Sequence, residues 1–343
     1  MKSLKWLLTL LLISSSGLPG ADKAYEFKPV VDGVYAAIAQ PTFRTNSNAA
    51  IIVRDEDVLV VDTGSKPSAA REVIAEIKKV TDKPVKYVVI THFHGDHFQG
   101  ADAYRSAWPG VNIISTDATR ESIEKRGIPK MKAELLATSK DIGKFKSDLD
   151  KVTDPQEKEK TQEKLRGAES YVAELKTLHV ALPTETFDHT LTLPSPTRPV
   201  ELLWFGKAHT DGDAFVYLPK DRVVCTGDAL QGATPTMRDS NPYDWIRTLD
   251  AVERLDFDYV IPGHGTEVLR GKETFELWKE YFNDLLAQAA DAVSSGATLD
   301  QTRQRLVPTL EAKYASRFPP GLFADSVTSN VERAYRAVSG QTY

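Results

Sequence analysis

Histidine and aspartate side chains are concentrated at four points of this sequence, and their types suggest metal binding. Five of the seven histidines lie in three short segments, and a further aspartate lies in a fourth; each segment follows an apolar stretch. Zinc binds imidazole nitrogen and carboxylate oxygen, so clusters of these side chains predict a metal site. The four segments are residues 91–97 (THFHGDH), 206–213 (GKAHTDGD), 226–228 (TGD) and 262–265 (PGHG).

The first segment offers four potential ligands within six residues. His92 and His94 are two positions apart, so on an extended backbone they point to the same side. Gly95 permits a sharp turn after them, which would bring Asp96 and His97 back to the same place. The sequence has one cysteine, which excludes an intrachain disulfide and a zinc site built from several cysteines. Any metal site must therefore be built mainly from histidine and carboxylate ligands.

The elements before these segments predict an α/β core that brings the segments together. Residues 58–61 and 85–90 are apolar apart from one lysine, as in strands buried on both faces, and residues 67–80 between them have helical spacing. In open α/β sheets, ligands bind beyond the carboxyl ends of the strands. Further strands are predicted at residues 34–38, 50–53, 200–205, 214–218, 222–226 and 259–261, and a further helix at residues 243–255.

A different composition marks residues 117–179, which are rich in lysine and glutamate and nearly free of aromatic side chains. We predict a helical hairpin inserted into a core domain of residues 22–270, with Asp154 as the N-cap of its second helix and Pro155 as the first helical residue. The hairpin is either a lid over the site or a surface elaboration, and the second is favoured because domains tolerate long insertions. Residues 271–343 are predicted to form C-terminal helices that pack on the core or form a dimer surface.

Composition and the first residues indicate the setting in which the protein works. Its 343 residues are 41% hydrophobic and 27% charged, with a net charge of −5, as in an ordinary globular protein. This balance argues against nucleic acid and anionic membranes as partners, and we expect a small-molecule substrate. Residues 1–21 have the layout of a secretory signal peptide, with an apolar run shorter than the ~20 residues that span a bilayer. We predict an exported, periplasmic or secreted protein without stable membrane insertion; an uncleaved anchor is the alternative.

With these ligand segments, the sequence resembles the metallo-β-lactamase superfamily. The motif His-x-His-x-Asp-His is met in full and the later ligand positions are filled, by His92, His94, Asp96, His97, His209, Asp228 and His264. The resemblance implies a four-layer αββα sandwich, of the α/β (α+β) class, and two zinc ions per chain. It places His92, His94 and His209 on the first ion and Asp96, His97 and His264 on the second, with Asp228 bridging both.

The resemblance also implies the chemistry. Two zinc ions about 3.5–4 Å apart would hold a bridging hydroxide that attacks a carbonyl carbon. The protein would then be a hydrolase of an ester, thioester, lactone or lactam, with Asp96 as a catalytic carboxylate. Asp228 resembles the glyoxalase-II-like and lactonase-like branches, because the β-lactamases with a Cys or Ser ligand have a different residue there. Gln231 stands where the first of those groups usually has a lysine for the drug's carboxylate.

Three alternatives stay open. The first is β-lactamase activity against antibiotics. The second is an iron-dependent oxidoreductase such as a persulfide dioxygenase, although His94 argues against the diiron redox members, which usually have a carboxylate at that position. The third is a binding protein without turnover, against which the complete ligand set argues.

Residues next to the ligand segments have two interpretations each. Asp62 resembles an acidic residue that supports the metal loop, or it is a turn residue at a strand end. Lys207 meets an anionic substrate or is simply solvated. Trp204, Tyr243 and Trp245 line the pocket or pack in the core.

Three further residues are predicted to be structural. Cys225 lies within an apolar strand three residues before Asp228, so we expect a buried core thiol. His179 and His189 have no ligand-bearing neighbours in the sequence. The metal site therefore accounts for the other five histidines.

Overall fold

The structure, a computed structural model, describes residues 23–41, 46–319 and 322–341. The predicted signal peptide, residues 1–21, lies outside the described residues, so both it and the export that it implies stay predictions. No helix in the described ranges combines the length and the apolar character that a membrane span requires.

The first of two sheets has seven strands in chain order. They are β1 (Tyr25–Val31), β2 (Val34–Ala39), β3 (Ala49–Val53), β4 (Val58–Val61), β5 (Val85–Val89), β6 (Asn112–Thr116) and β7 (Glu185–Phe187). Strands β1 to β4 pair antiparallel, whereas β4 to β7 pair parallel. The carboxyl ends of β4 and β5 therefore lie side by side at one edge of the sheet.

The second sheet has six strands. They are β8 (Thr190–Leu193), β9 (Val200–Leu203), β10 (Phe215–Leu218), β11 (Val223–Gly227), β12 (Tyr259–Pro262) and β13 (Leu269–Arg270). Strands β8 to β11 pair antiparallel and β11 pairs parallel with β12. Strands β9, β11 and β12 consequently run in the same direction, and their carboxyl ends share one edge.

Ten α-helices and one π-helical turn complete the described part of the chain. The helices are α1 (Pro67–Val80), α2 (Gly95–Phe98), α3 (Ala101–Ala107), α4 (Asp117–Ser122), α5 (Ile128–Leu149), α6 (Pro155–Thr177), α7 (Pro242–Glu253), α8 (Glu273–Ser294), α9 (Leu299–Tyr314) and α10 (Leu322–Val338). The π-helical turn, Ile123–Gly127, joins α4 to α5.

Three apolar clusters define four layers in the order helix, sheet, sheet, helix. The middle cluster lies between the sheets, where Val89 of β5 meets Val216 of β10 and Cys225 of β11. An outer cluster packs α1 and α3 against the first sheet, with Val73 as a buried residue of α1. The other outer cluster packs α7 to α10 against the second sheet. This arrangement is the predicted αββα sandwich.

The C-terminal helices are an integral part of the second outer layer. Trp278 and Phe282 of α8 are fully buried and contact Trp245 of α7, with ring centroids 5.7 and 5.0 Å from its ring. Phe323 of α10 is also buried there and faces Tyr281 of α8. Of the two predicted arrangements for residues 271–343, packing on the core is the one that the structure shows.

The segment predicted as a helical hairpin contains α4, the π-helical turn and the paired helices α5 and α6. Asp154 caps α6 as predicted, because its side chain accepts from the backbone N–H of Gln156 and of Glu157, at 3.0 and 2.9 Å. Glu174 of α6 accepts from the backbone N–H and the hydroxyl of Ser68, at 2.8 and 2.7 Å, which fixes α6 to the start of α1. The hairpin is therefore anchored beside the edge where β4 and β5 end.

Strands β1, β6, β7, β8 and β13 are not among the strands predicted individually. The last four contain at most two apolar residues each, and Glu26, Lys28 and Pro29 interrupt the apolar pattern of β1.

Candidate metal centre

All seven predicted ligands meet at the edge of the sandwich where β5, β9, β11 and β12 end. They form two groups, and within each group the potential ligand atoms lie within 4.8 Å of one another. The first group is His92, His94, His209 and Asp228, and the second is Asp96, His97 and His264. The structure thus brings together residues that are up to 172 positions apart in the sequence (His92 to His264).

The three histidines of the first group present one ring nitrogen each to a common point. His94 Nδ1 lies 3.1 Å from His92 Nε2 and 3.0 Å from His209 Nε2. Three nitrogens bound tetrahedrally at zinc distances of about 2.0–2.1 Å would be about 3.3 Å apart. The spacing of these nitrogens is therefore close to that of a zinc triad.

Hydrogen bonds on the outer side of two of these rings decide which nitrogen carries the proton. His94 Nε2 lies 2.9 Å from Asp239 Oδ2, and His209 Nδ1 lies 3.0 Å from the backbone oxygen of Thr236. A carboxylate and a carbonyl oxygen only accept, so each outer nitrogen donates a proton. The inner nitrogens, His94 Nδ1 and His209 Nε2, are then the ring atoms left to face a metal ion.

Thr91 orients the third ring in the same way. Its hydroxyl donates to Asp62 Oδ2 at 2.8 Å, so towards His92 Nδ1, 3.1 Å away, it can only accept. Burial lowers the pKa of His92 well below its usual range and lowers that of His209 to about 4, so both rings are neutral at pH 7. The unprotonated inner nitrogens of His92 and His209 both face His94 Nδ1, so the residues fit a metal ion bound among the three rings.

The second group contains a histidine fixed by a buried carboxylate. Asp62 follows β4 in the left-handed backbone region, with φ of 58°, and accepts from Thr91 N–H and from His97 Nδ1–H, both at 2.8 Å. His97 Nε2 is buried and has no hydrogen-bond partner in the described structure. It lies 3.7 Å from Asp96 Oδ2 and 3.4 Å from Asp228 Oδ1, as expected for a ligand atom that shares an ion with carboxylates.

Asp228 lies between the two groups. One of its oxygens, Oδ2, is 3.5 Å from His209 Nε2 and 3.4 Å from His264 Nε2, while Oδ1 faces His97. A Cβ atom at position 263 would lie 2.1 Å from Asp228 Oδ1, so the residue there must be glycine. The carboxylate of Asp228 thus faces both groups of potential ligands.

The two groups differ in charge when no ion is bound. Burial opposes a charge on His97 and His264, but nearby carboxylates outweigh the effect of burial. These carboxylates are Asp62 and Asp228 for His97, and Asp228 and Asp96 for His264. The pKa of His97 is raised well above its usual range and that of His264 is raised to about 10. The second group therefore holds two protons at pH 7, whereas His92 and His209 of the first hold none on their ligand nitrogens.

We expect zinc binding at the second group to release about two protons at pH 7, one from His97 and one from His264. Because each displaced proton changes the affinity tenfold per pH unit, affinity at this group should rise with pH until the His264 pKa of about 10 is approached. Isothermal titration calorimetry in buffers of different ionisation enthalpy measures the number of protons. The His264→Ala variant, which keeps the first group, should bind zinc with almost no release; equal release at both groups would contradict the assignment.

Two residues that the sequence analysis missed connect the inserted segment to the first group. Asp239, which accepts from His94, also pairs with Arg126 of the π-helical turn. Burial would raise the pKa of Asp239, but the hydrogen bond from His94 and the charges of His94, Arg126 and Lys130 hold it below its usual range. No sequence pattern identifies the contact between His94 and Asp239. The two residues are 145 positions apart, and both lie in loops, which have no periodic pattern.

A cavity of about 920 Å³ opens over the metal-binding groups. His94, Asp96, His209, Asp228 and His264 line its floor. Its walls come from the residues around the β2–β3 connection, from α5 and α6, from the loop before α7, and from α10. The inserted hairpin therefore contributes directly to the space in which a substrate would bind.

Five residues next to the ligand segments had two interpretations each. Asp62 holds His97 of the metal loop. The other four, Lys207, Trp204, Tyr243 and Trp245, lie outside the cavity wall. Lys207 pairs with Asp211 at the surface, and Tyr243 is exposed. Trp204 packs in the cluster between the sheets. Trp245 is buried behind the first group, its ring centroid 5.6 Å from that of His209.

The three residues predicted to be structural also lie away from both groups. Cys225 is buried between the sheets, and burial raises the pKa of its thiol. His179 and His189 are exposed, and neither belongs to the two metal-binding groups of the described structure.

Fold and site together define a sandwich protein with a candidate two-ion centre of histidine and aspartate. The sequence profile of the Metallo-beta-lactamase superfamily matches residues 42–264. The chain therefore belongs to the metallo-β-lactamase superfamily, and the predicted resemblance is confirmed.

Named relatives indicate a hydrolase in general terms. The chain is 27% identical over 271 residues to a linear primary-alkylsulfatase of a Pseudomonas species, covering 75% of this chain and 49% of that protein. It is 25% identical over 226 residues to the beta-lactamase-like protein 2 homolog of Caenorhabditis elegans, covering 65% of this chain and 57% of that protein. The chain thus spans about half the length of these curated relatives.

Solved structures confirm the fold. A metallo-beta-lactamase from Pontibacter korlensis superposes with a TM-score of 0.56 at 16% identity, covering 76% of this chain and 99% of that one. The metallo-beta-lactamase FIM-1 from Pseudomonas aeruginosa, in its mono-zinc form, gives 0.54 at 18% identity, covering 76% and 95%. At these identities the similarity establishes the αββα fold alone.

Proposed function

We propose that this protein is a zinc-dependent hydrolase that holds two zinc ions and cleaves an acyl bond of an ester, thioester, lactone or lactam. The observation that carries the proposal is the pair of adjoining ligand groups, in which ring nitrogens of His92 and His209 lie 3.1 and 3.0 Å from His94 Nδ1 and one carboxylate faces both groups. Zinc suits this donor set because it binds imidazole and carboxylate together.

Zinc held by the two ligand groups would supply a bound water of lowered pKa and would polarise the carbonyl of the substrate. The reaction adds water across the acyl bond and releases a carboxylic acid together with an alcohol, thiol or amine. Asp96 opens onto the cavity with 24% of its side chain exposed. Burial would raise the pKa of Asp96, but His97 and His264 outweigh it and hold the pKa below its usual range, so this carboxylate is ionised at neutral pH and can serve as an anionic ligand.

Hydrolysis of a sulfate monoester is the second candidate function. It is supported by the similarity to the alkylsulfatase, which extends over 75% of this chain. In that reaction water adds across the ester and releases an alcohol and hydrogen sulfate. The same ligand groups would serve it, so only turnover distinguishes the two candidates.

The test is a substrate panel with the protein of residues 22–343 reconstituted with zinc. Chromogenic ester, thioester, lactone, β-lactam and alkyl sulfate substrates should be assayed beside metal analysis and measurement of oxygen consumption. We expect about two zinc ions per chain and turnover of at least one acyl substrate, lost on chelation and restored by zinc.

Each alternative has its own outcome in this panel. Turnover confined to alkyl sulfates would favour the second candidate, and turnover confined to β-lactams would favour an antibiotic-degrading enzyme. Stoichiometric iron with oxygen consumption would favour the oxidoreductase. Protein recovered without metal and without turnover after zinc addition would exclude a zinc hydrolase.

A further inference from the structure

Two cationic side chains in the cavity wall have no established partner. Lys130 lies in the first turn of α5 and Arg238 in the loop before α7, and both line the cavity above the metal-binding groups. Neither makes a hydrogen bond or ion pair with another described residue. Their basic neighbours differ in this respect, because Lys125 pairs with Glu121 and Arg126 pairs with Asp239.

Both cations lie on the side of the cavity where His94 is held. Arg238 directly precedes Asp239, the acceptor for His94 Nε2–H. The charge of Lys130 acts on the same carboxylate, which places its ammonium group near Asp239. Both side chains are exposed, and neither forms a close ion pair with another described residue, so each can contact an anion in the cavity. Cations in a concave wall raise the local positive potential and attract anions.

The cavity wall also contains two acidic side chains, Glu134 and Asp325. Glu134 lies one turn after Lys130 on α5, away from the metal loop along the helix, and it has a partner of its own. Asp325 belongs to the first turn of α10. By contrast, Arg238 directly precedes Asp239 and the charge of Lys130 acts on Asp239, so both cations belong to the part of the wall that holds His94.

Apolar side chains form another part of the wall. Met131 and Tyr171 line the cavity and belong to one small apolar cluster between α5, α6 and the residues that follow. Pro41 and Ala233 add apolar surface from the two connecting loops. A ligand that fills this cavity would meet cations beside the metal centre and an apolar surface along the inserted hairpin.

We propose that the substrate is an anionic amphiphile, whose carboxylate or sulfate group binds Lys130 and Arg238 and whose apolar part lies against Met131 and Tyr171. This inference rests on the proposed hydrolase function and names the specificity of the same cavity. A charge-assisted hydrogen bond to an oxyanion contributes about 1.5–3 kcal/mol, so each cation should change the specificity about tenfold or more.

The test compares two esters of equal chain length with the zinc-loaded protein. One is para-nitrophenyl hexanoate, which is neutral, and the other is mono-para-nitrophenyl adipate, which ends in a carboxylate. Lys130→Ala and Arg238→Ala should each lower kcat/KM for the adipate about tenfold, and the double variant about 100-fold, with the hexanoate within about threefold of the unsubstituted protein. Lys132→Ala is the matched control, because Lys132 is exposed on α5 and does not line the cavity.

A binding measurement separates this inference from the proposed hydrolysis. Hexanesulfonate, which is not cleaved, and hexanol should be titrated into the same variants by calorimetry. We expect the sulfonate to bind more tightly than the alcohol, to weaken with added salt, and to lose this advantage in the double variant but not in Lys132→Ala.

The outcomes are distinct. If the esters are cleaved but both cations can be removed without changing the preference for the adipate, the inference is overturned and the hydrolase function stands. If the sulfonate binds through Lys130 and Arg238 but no ester or sulfate is cleaved, the hydrolase function fails and the anion site stands. A preference for sulfate over carboxylate among cleaved substrates identifies the natural oxyanion.

Discussion

Replacing Asp228 with alanine should reduce zinc content from about two ions per chain to one or fewer and lower kcat/KM at least about 10³-fold, which corresponds to about 4 kcal/mol of transition-state stabilisation. Among the residues that the structure describes, Asp228 is the carboxylate that faces both ligand groups, at 3.5 Å from His209 Nε2 and 3.4 Å from both His264 Nε2 and His97 Nε2. Without it, the two proposed ions would lose the anionic ligand that they share. Metal analysis after dialysis and steady-state kinetics on the best substrate of the panel measure the two effects.

Two variants make this result interpretable. Asp228→Asn keeps the size of the side chain and removes its charge, so it should lose zinc as well while retaining the near-ultraviolet circular dichroism of the folded protein. Asp211→Ala is the matched control, because Asp211 lies two residues after His209, is 48% exposed and pairs only with Lys207. If Asp228→Ala retained two zinc ions and full turnover, the assignment of a bridging carboxylate would be wrong.

The grouping of the candidate ligands could be predicted from sequence because their signal is local. His92, His94, Asp96 and His97 lie within six residues of one another, directly after a strand whose apolar pattern is plain. The later ligands each follow a short apolar strand, and the geometry of parallel strands brings such ends to a shared edge. Sequence reasoning therefore works best for segments in which a recognisable strand is directly followed by a candidate ligand residue.

The residues that orient the ligands could not be predicted in the same way. Asp239 and Arg126 are 113 positions apart and reach His94 from a loop and a π-helical turn, neither of which has a periodic pattern. Lys130 belongs to a segment whose composition indicates only a solvated surface, yet it lines the cavity. These contacts arise from how the inserted hairpin packs over the sheet edge, and that packing depends on long-range contacts such as Ser68 with Glu174.

For the aromatic residues near the strand ends, the sequence left two interpretations open, and the structure places them outside the cavity wall. Trp245 lies close to His209, but its ring is fully buried in the cluster beneath the metal-binding groups, where its indole N–H donates to the backbone oxygen of Ala229 at 2.9 Å. Tyr243, two residues earlier on the same helix, is exposed. Proximity in sequence to a ligand thus did not indicate access to the cavity, because a helix turns successive side chains to different faces.

Asp62→Asn should impair the second ligand group selectively. Asp62 adopts φ of 58°, which asparagine tolerates, so the backbone can be retained. The wild-type carboxylate accepts from Thr91 N–H, from the Thr91 hydroxyl and from His97 Nδ1–H, each at 2.8 Å. With the amide oxygen accepting from Thr91 N–H, the amide NH₂ faces His97 Nδ1 and requires a lone pair there. The ring proton then moves to Nε2, the atom that would bind zinc.

The expected result is a fall of about 10–100-fold in zinc affinity at the second group, with the first group nearly unchanged, because such an orienting partner typically has an effect of this size. Competition with a chromogenic chelator measures both affinities, and the tautomer of His97 can be read from ¹⁵N chemical shifts of the imidazole. Asp57→Asn is the matched control, since Asp57 is another buried aspartate and bonds Arg54 at 2.8 and 3.2 Å, away from the metal loop. That variant should lose stability and still bind two zinc ions, whereas equal zinc loss in both variants would show that Asp62 acts through stability alone.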